Sequence, residues 1–156
     1  MDVDHPDSQA KMTPFERLGG RPGIEPIIAD FIDRVVSDMM IGFFFKKVPI
    51  DRLKQLEVEF ACEHLGGAVQ YNGRPLDSAH GPHRIMGGQF NRRLRILEQT
   101  LRDHAVPEDI VLHWVSHNEA QRQLITVDGP FACNGALPQP EAQSQPEAQS
   151  EPKTQR

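Results

Sequence analysis

Cysteine is almost missing from this chain. Only Cys62 and Cys133 occur in 156 residues, and they form no CxxC pair. A disulfide scaffold and a zinc finger are therefore excluded. No stretch approaches about 18 consecutive apolar residues, so no helical membrane span is expected. The segment Met1–Lys11 is acidic and polar and lacks the basic-then-apolar pattern of a secretory leader, which leaves a cytoplasmic location as the expectation. Basic excess is lacking too. With the six acids and three bases of residues 1–12 and 134–156 set aside, the middle of the chain nets −2. No surplus of cations is available to neutralise phosphates, so nucleic acid is not an expected partner.

What remains is enough for one domain with a real core, and too little for two. Hydrophobic residues reach only 38%, below the usual globular share, while proline is frequent at 13. An ordered domain with a polar appendage accounts for both figures. The unit QPEAQS occurs at 139–144 and again at 145–150. It carries no aromatic or β-branched side chain and cannot bury enough apolar surface to offset its ordering entropy. A disordered tail is expected over 132–156, a disordered extension over 1–12, and the domain over 13–131.

The signals inside that domain are helical. Thr13-Pro14-Phe15-Glu16 has the form of a capping box with proline at the first helical position. Gly19-Gly20 should stop this helix after little more than one turn. Ile24, Ile27, Ile28, Phe31 and Val35 then mark one face of a second helix, with Pro26 tolerable in its first turn. Asp51 is placed to cap a third, which carries Leu53, Leu56, Phe60 and Leu65 and closes at Gly66-Gly67. Phe90, Leu94, Leu97 and Leu101 trace a fourth, and Pro107 opens a fifth with Ile110, Val111, Trp114 and Val115. No alternating run bounded by hairpin turns occurs. The fold class is all-α.

Several segments share an order and spacing that carry more information jointly than singly. They are Phe15-Glu-Arg-Leu-Gly-Gly20, Phe31-Ile-Asp-Arg-Val-Val36, Phe44-Phe45 with Asp51-Arg52-Leu53, Leu65-Gly-Gly67, Tyr71-Asn-Gly73, Ala79-His80 with Ile85 and Phe90, and Val106-Pro-Glu-Asp109. Over about 110 residues this series resembles the truncated hemoglobins, the two-over-two helical sandwich globins, and most closely their group I. The resemblance implies a haem b cofactor whose iron is held by His80, 13 positions beyond Gly67. A neutral imidazole nitrogen would hold one face of the iron, leaving the other for a diatomic gas. Spacing alone does not separate His80 from the other histidines. The glycine-bearing stretch from Gly66 to Ala79 matches the family's loop in place of a regular helix before the ligand.

By the same resemblance Phe45 lies flat on the haem, although three consecutive phenylalanines also suit a corner packed into the core. Tyr71, Ile85 and Phe90 fall at positions lining the pocket or its proximal side. Lys54 and Arg84 are candidates to pair with the propionates, since long cations suit carboxylates at a solvent edge; a purely solvated role fits them equally.

The chain departs from the group I pattern at its distal positions. Where the pattern has Phe-Tyr, this sequence has Phe31-Ile32, and the hydroxyl that would donate to bound oxygen is gone. The pocket positions of the third helix fall on Leu53 and Glu57. Glu57 stands out without any family: Leu53, Glu57, Phe60 and His64 recur at i, i+4, i+7 and i+11, so a carboxylate and an imidazole interrupt an apolar stripe. A buried carboxylate is costly unless paired or neutralised. Either Glu57 swings to solvent, or it is the main polar group at the sixth haem position, donating to a ligand when neutral and repelling bound oxygen when ionised. His64 is expected half-buried or paired, His83 solvent-facing. His113 and His117, at i and i+4, have metal-binding spacing but no evident third ligand. Arg92, Arg93 and Arg95 read as the polar face of the fourth helix.

A haem protein that reversibly binds oxygen, nitric oxide or carbon monoxide is therefore expected, with oxygen binding or transport as the family role and a reductase as a conceivable partner. Nitric oxide dioxygenation is weakened by Ile32. Peroxidase-like chemistry with Glu57 as acid–base is a second option. A haem-based redox or gas sensor and a haem-free globin-fold interaction protein are the alternatives from other classes.

Overall fold

The computed structural model describes residues 12–128; the expected terminal extensions lie outside them, apart from the boundary residues. Within that range the chain forms α1 (Pro14–Arg17), α2 (Gly20–Ser37), α3 (Ile50–His64), α4 (Leu76–His80), α5 (Gly87–Asp103), α6 (Glu108–Ala120) and α7 (Arg122–Ile125). Short 3-10 turns lie at Gly42–Phe45 and Gly81–His83. The all-α expectation holds, with one isolated parallel bridge between Ile85 and Thr126 among the described residues. No described helix is long and apolar enough to cross a membrane.

The first helix is set as its sequence demands. The Thr13 hydroxyl accepts from the Glu16 N–H at 3.2 Å while the Glu16 carboxylate accepts from the Thr13 N–H at 2.8 Å. Gly19 and Gly20 follow with φ of +82° and +68°, a left-handed pair that turns the chain straight into α2. Because α2 begins at Gly20, Pro26 sits inside the helix rather than in its first turn. Pro22 and Pro26 are both exposed, and the Pro26 ring removes one N–H from the helical ladder. The third helix also differs from expectation. Its N-cap is Pro49, and Asp51 lies within the first turn, where a carboxylate favours the positive helix end without capping it. The run from Gly66 is not loop throughout, since Leu76–His80 closes one helical turn ending on the imidazole.

Periodicity locates the core. Ile24, Ile27, Ile28, Phe31, Ile32 and Val35 of α2 pack with Val58, Ala61 and Cys62 of α3, Leu97 and Leu101 of α5, and Ile110, Val111 and Trp114 of α6. Helix α2 lies against both α3 and α5, and α5 against α6. Ion pairs brace the outside: Arg34 clasps Asp30 and reaches Asp103 at 2.6 Å, and Arg92 holds Asp38.

Gly23 leaves no room for a side chain. A Cβ there would stand 1.7 Å from the Leu18 carbonyl oxygen, a backbone atom that cannot swing aside. Gly23→Ala should therefore destabilise the fold by about 2 kcal/mol or more, as overpacking does when relief requires backbone movement. A lowered urea midpoint with unchanged slope is the expected reading; an unshifted midpoint would contradict the close approach of α1 to α2.

Candidate functional site

A cavity of about 350 Å³ opens between α3 on one side and the α4 region on the other. Helical period explains what α3 contributes. Leu53, Leu56, Glu57 and Phe60 share one face and line the cavity, with Arg52 at its edge. Phe44 and Phe45 enter from the 3-10 turn, Leu76, Ala79 and His80 from α4, and Gln89, Phe90 and Arg93 from α5. Two tethers hold the wall opposite α3. The Val127 N–H donates to the Ile85 carbonyl at 3.0 Å, and the Asp128 carboxylate accepts from the Gly87 N–H at 2.7 Å. They position Ile85 and the first turn of α5.

His80 is the best-defined polar group of the cavity. Its Nδ1 lies 2.8 Å from the Leu76 carbonyl oxygen. A carbonyl can only accept, so Nδ1 carries the proton and donates. Nε2 is then the imine nitrogen, with a lone pair and no protein partner among the described residues. Burial pushes the imidazole pKa down; the bond to Leu76 opposes this, and the nearby Arg93 charge adds to it. The lowering favours the uncharged ring, the form a metal ligand must have.

Of the residues singled out in the sequence, His80, Phe45, Leu53, Glu57, Tyr71, Ile85 and Phe90 meet at this cavity. Three do not. Ile32 is 1% exposed, belongs to the core and is not among the lining residues. Lys54 is one position away from the lining face and pairs with Asp33 at 2.7 Å. Arg84 is exposed at a left-handed position with φ +48° and is not among the lining residues. The edge cations are instead Arg52 and Arg74. The Tyr71 hydroxyl donates to the Arg74 carbonyl at 3.3 Å, and its ring meets Phe60 edge-on at 5.4 Å. Of the three phenylalanines, Phe44 and Phe45 face the cavity while Phe43 is exposed and lies against Phe44. His83 is exposed but reaches the rim, edge-on to Phe44 at 6.5 Å.

Glu57 neither swings free nor stays unpaired. Its Oε1 accepts from Arg93 Nη2 at 2.7 Å, with the two side chains 23% and 24% exposed. Reading Arg93 as part of a polar face missed this pairing. The signal was present: Phe90, Arg93, Leu94 and Leu97 run at i, i+3, i+4 and i+7, which sets Arg93 on the margin of an apolar stripe. Arg92 and Arg95, by contrast, face outward.

Behind Phe60 lies a second polar cluster. The His64 and His117 rings stack in parallel, 4.2 Å between centroids and 4° between planes, with His113 6.0 Å from His64. His64 Nδ1 donates to the Phe60 carbonyl at 3.0 Å, while Nε2 of both His64 and His117 is buried without a partner. Burial pushes the His64 pKa down to about 4. No group of three or more His, Cys, Asp or Glu among the described residues is arranged to hold a metal ion.

Comparison with known proteins agrees with this architecture. The family model of bacterial-like globins matches residues 13–121. The chain is 31% identical over 97 residues to the group 1 truncated hemoglobin GlbN of Mycolicibacterium paratuberculosis, covering 62% of this chain and 71% of that one. It is 30% identical over 103 residues to GlbN of Synechocystis, covering 64% and 83%. Among solved structures, the Fe(III) form of the truncated hemoglobin from Tetrahymena pyriformis superposes with a TM-score of 0.67 at 25% identity, over 74% of this chain and 98% of that one. With helices, cavity and matching span in agreement, this chain belongs to the bacterial-like, truncated globin family, and its relatives include group 1 truncated hemoglobins.

Proposed function

We propose that this globin binds haem b through His80 and that the haem so held would take a small ligand, a diatomic gas in the first instance. The observation that carries the reading is the imidazole at the cavity wall. Its Nδ1–H is spent on the Leu76 carbonyl, and its Nε2 is left as a neutral donor facing no protein group. A backbone acceptor on the non-ligating nitrogen fixes the tautomer and ring orientation and raises the ligand's basicity. The iron supplies reversible ligand coordination; the rest falls to the chain. Phe45, Leu53, Leu56, Ile85 and Phe90 present an apolar lining that suits a porphyrin and keeps bulk water from it. Arg52 and Arg74, at the edge, are placed to meet the propionate carboxylates.

Titrating the protein with hemin should give a Soret band that saturates at one equivalent. Reduction under carbon monoxide should then give the carbonmonoxy spectrum of an imidazole-ligated haem. A protein that leaves added hemin in its free spectrum would refute the reading and favour a haem-free interaction role.

A further inference from the structure

We propose that Arg93 makes the ligand side of this pocket a site for small monovalent anions, with Glu57 as the internal counter-ion that an incoming anion displaces. The inference rests on haem binding at His80.

A guanidinium is permanently charged, and placing one in a largely apolar cavity needs a return. Glu57 supplies only part of it. Arg93 donates through Nη2 to Glu57 at 2.7 Å and through Nη1 to the Asn118 Oδ1 at 3.3 Å, and its planar head lies 4.9 Å from the Phe31 ring centre. The remaining three of its five N–H groups have no protein partner among the described residues. Two of its three supports are rigid. Phe31 is 1% exposed, and Asn118 is itself oriented by donating Nδ2 to the Trp114 carbonyl at 3.0 Å. The cation therefore keeps its place when the carboxylate leaves.

Glu57 is held differently. Among the described residues Arg93 is its single hydrogen-bond partner, and its helix face borders the cavity. Its carboxylate shows what the guanidinium accepts: an anionic oxygen at charge-assisted distance. The cavity places that acceptor position on the same open space as His80. A neutral gas gains little from a full positive charge, whereas an anion gains Coulomb attraction strengthened by the low local dielectric. Against it stands Glu57, a like charge that either retreats or repels.

Two variants of the hemin-loaded ferric protein test this, with azide and formate as probes in optical titrations and carbon monoxide on the ferrous form as the reference. Glu57→Gln removes the competing charge and should tighten azide and formate roughly tenfold or more, raising the ratio of anion to carbon monoxide affinity. Adding Arg93→Leu removes both members of the pair, leaves no unpaired charge, and should reverse that gain to below the parent protein. If the ratio stays within about twofold across parent, single and double variants, the anion site is refuted while haem binding stands. If no Soret band forms in the parent protein, both readings fall together.

Discussion

Replacing His80 with glycine should weaken hemin binding roughly 100-fold or more and abolish the five-coordinate imidazole spectrum, with external imidazole restoring both. The expectation follows from one donor atom. Among the described residues that line the cavity, the imidazoles are His80 and His83. They differ in what the backbone does to them: His80 is half-buried with its tautomer fixed by Leu76, whereas His83 is exposed in a 3-10 turn. His83→Ala should therefore leave the ferric and carbonmonoxy spectra of the parent protein. The reverse outcome, loss in the His83 variant and retention in the His80 variant, would move the iron to the other imidazole. Imidazole rescue separates a lost ligand from a lost fold, because an unfolded protein cannot be rescued by filling one coordination position.

Helices were legible where one periodicity dominated. The α2 stripe from Ile24 to Val35 is buried almost without exception, and the Thr13–Glu16 box forms both of its bonds. Legibility failed where the outcome depends on contacts remote in sequence. Asp51 has the residue type of a cap, but Pro49 already occupies that position, so its carboxylate is two places too deep. The helical turn at Leu76–His80 has no long stripe to announce it and is held by its contacts with α7, itself too short to read. The site shows the same limit. Helix period put Leu53 and Glu57 on the cavity, but whether Glu57 would be paired depended on a residue 36 positions away. Lys54 was a reasonable edge cation until Asp33, on the neighbouring helix, captured it. Charges choose partners in three dimensions, and a one-dimensional pattern can only say that a partner is needed.

The stacked histidines behind Phe60 predict a second large effect, on stability rather than on ligand binding. His64 has a pKa of about 4 in the native protein against 6.5 unfolded, with burial as the leading cause and the neighbouring His117 and His113 adding to it. A depressed imidazole value acts as follows. Above pH 6.5 both states are neutral and the group adds no slope. Between 6.5 and 4 only the unfolded chain takes up the proton, so stability falls; below 4 the contribution is flat. The loss across this window is on the order of 3 kcal/mol at most for His64, a large part of a small domain's total. His117 is lowered by the same cause and acts in the same direction. The carboxylates held low by arginines, Asp30, Asp38 and Asp109 among them, are stabilising above the ordinary carboxylate range and weaken the fold only at more acid pH. The histidine window is thus separable from theirs. In urea unfolding of the hemin-free protein, His64→Phe keeps an aromatic ring in the stack but removes the titrating group. Its stability should decline less than the parent's between pH 6.5 and 4, whatever its offset at pH 8 from losing the bond to the Phe60 carbonyl. Parallel curves for the two proteins across that window would mean that the buried imidazole is protonated as readily in the native state as in the unfolded one.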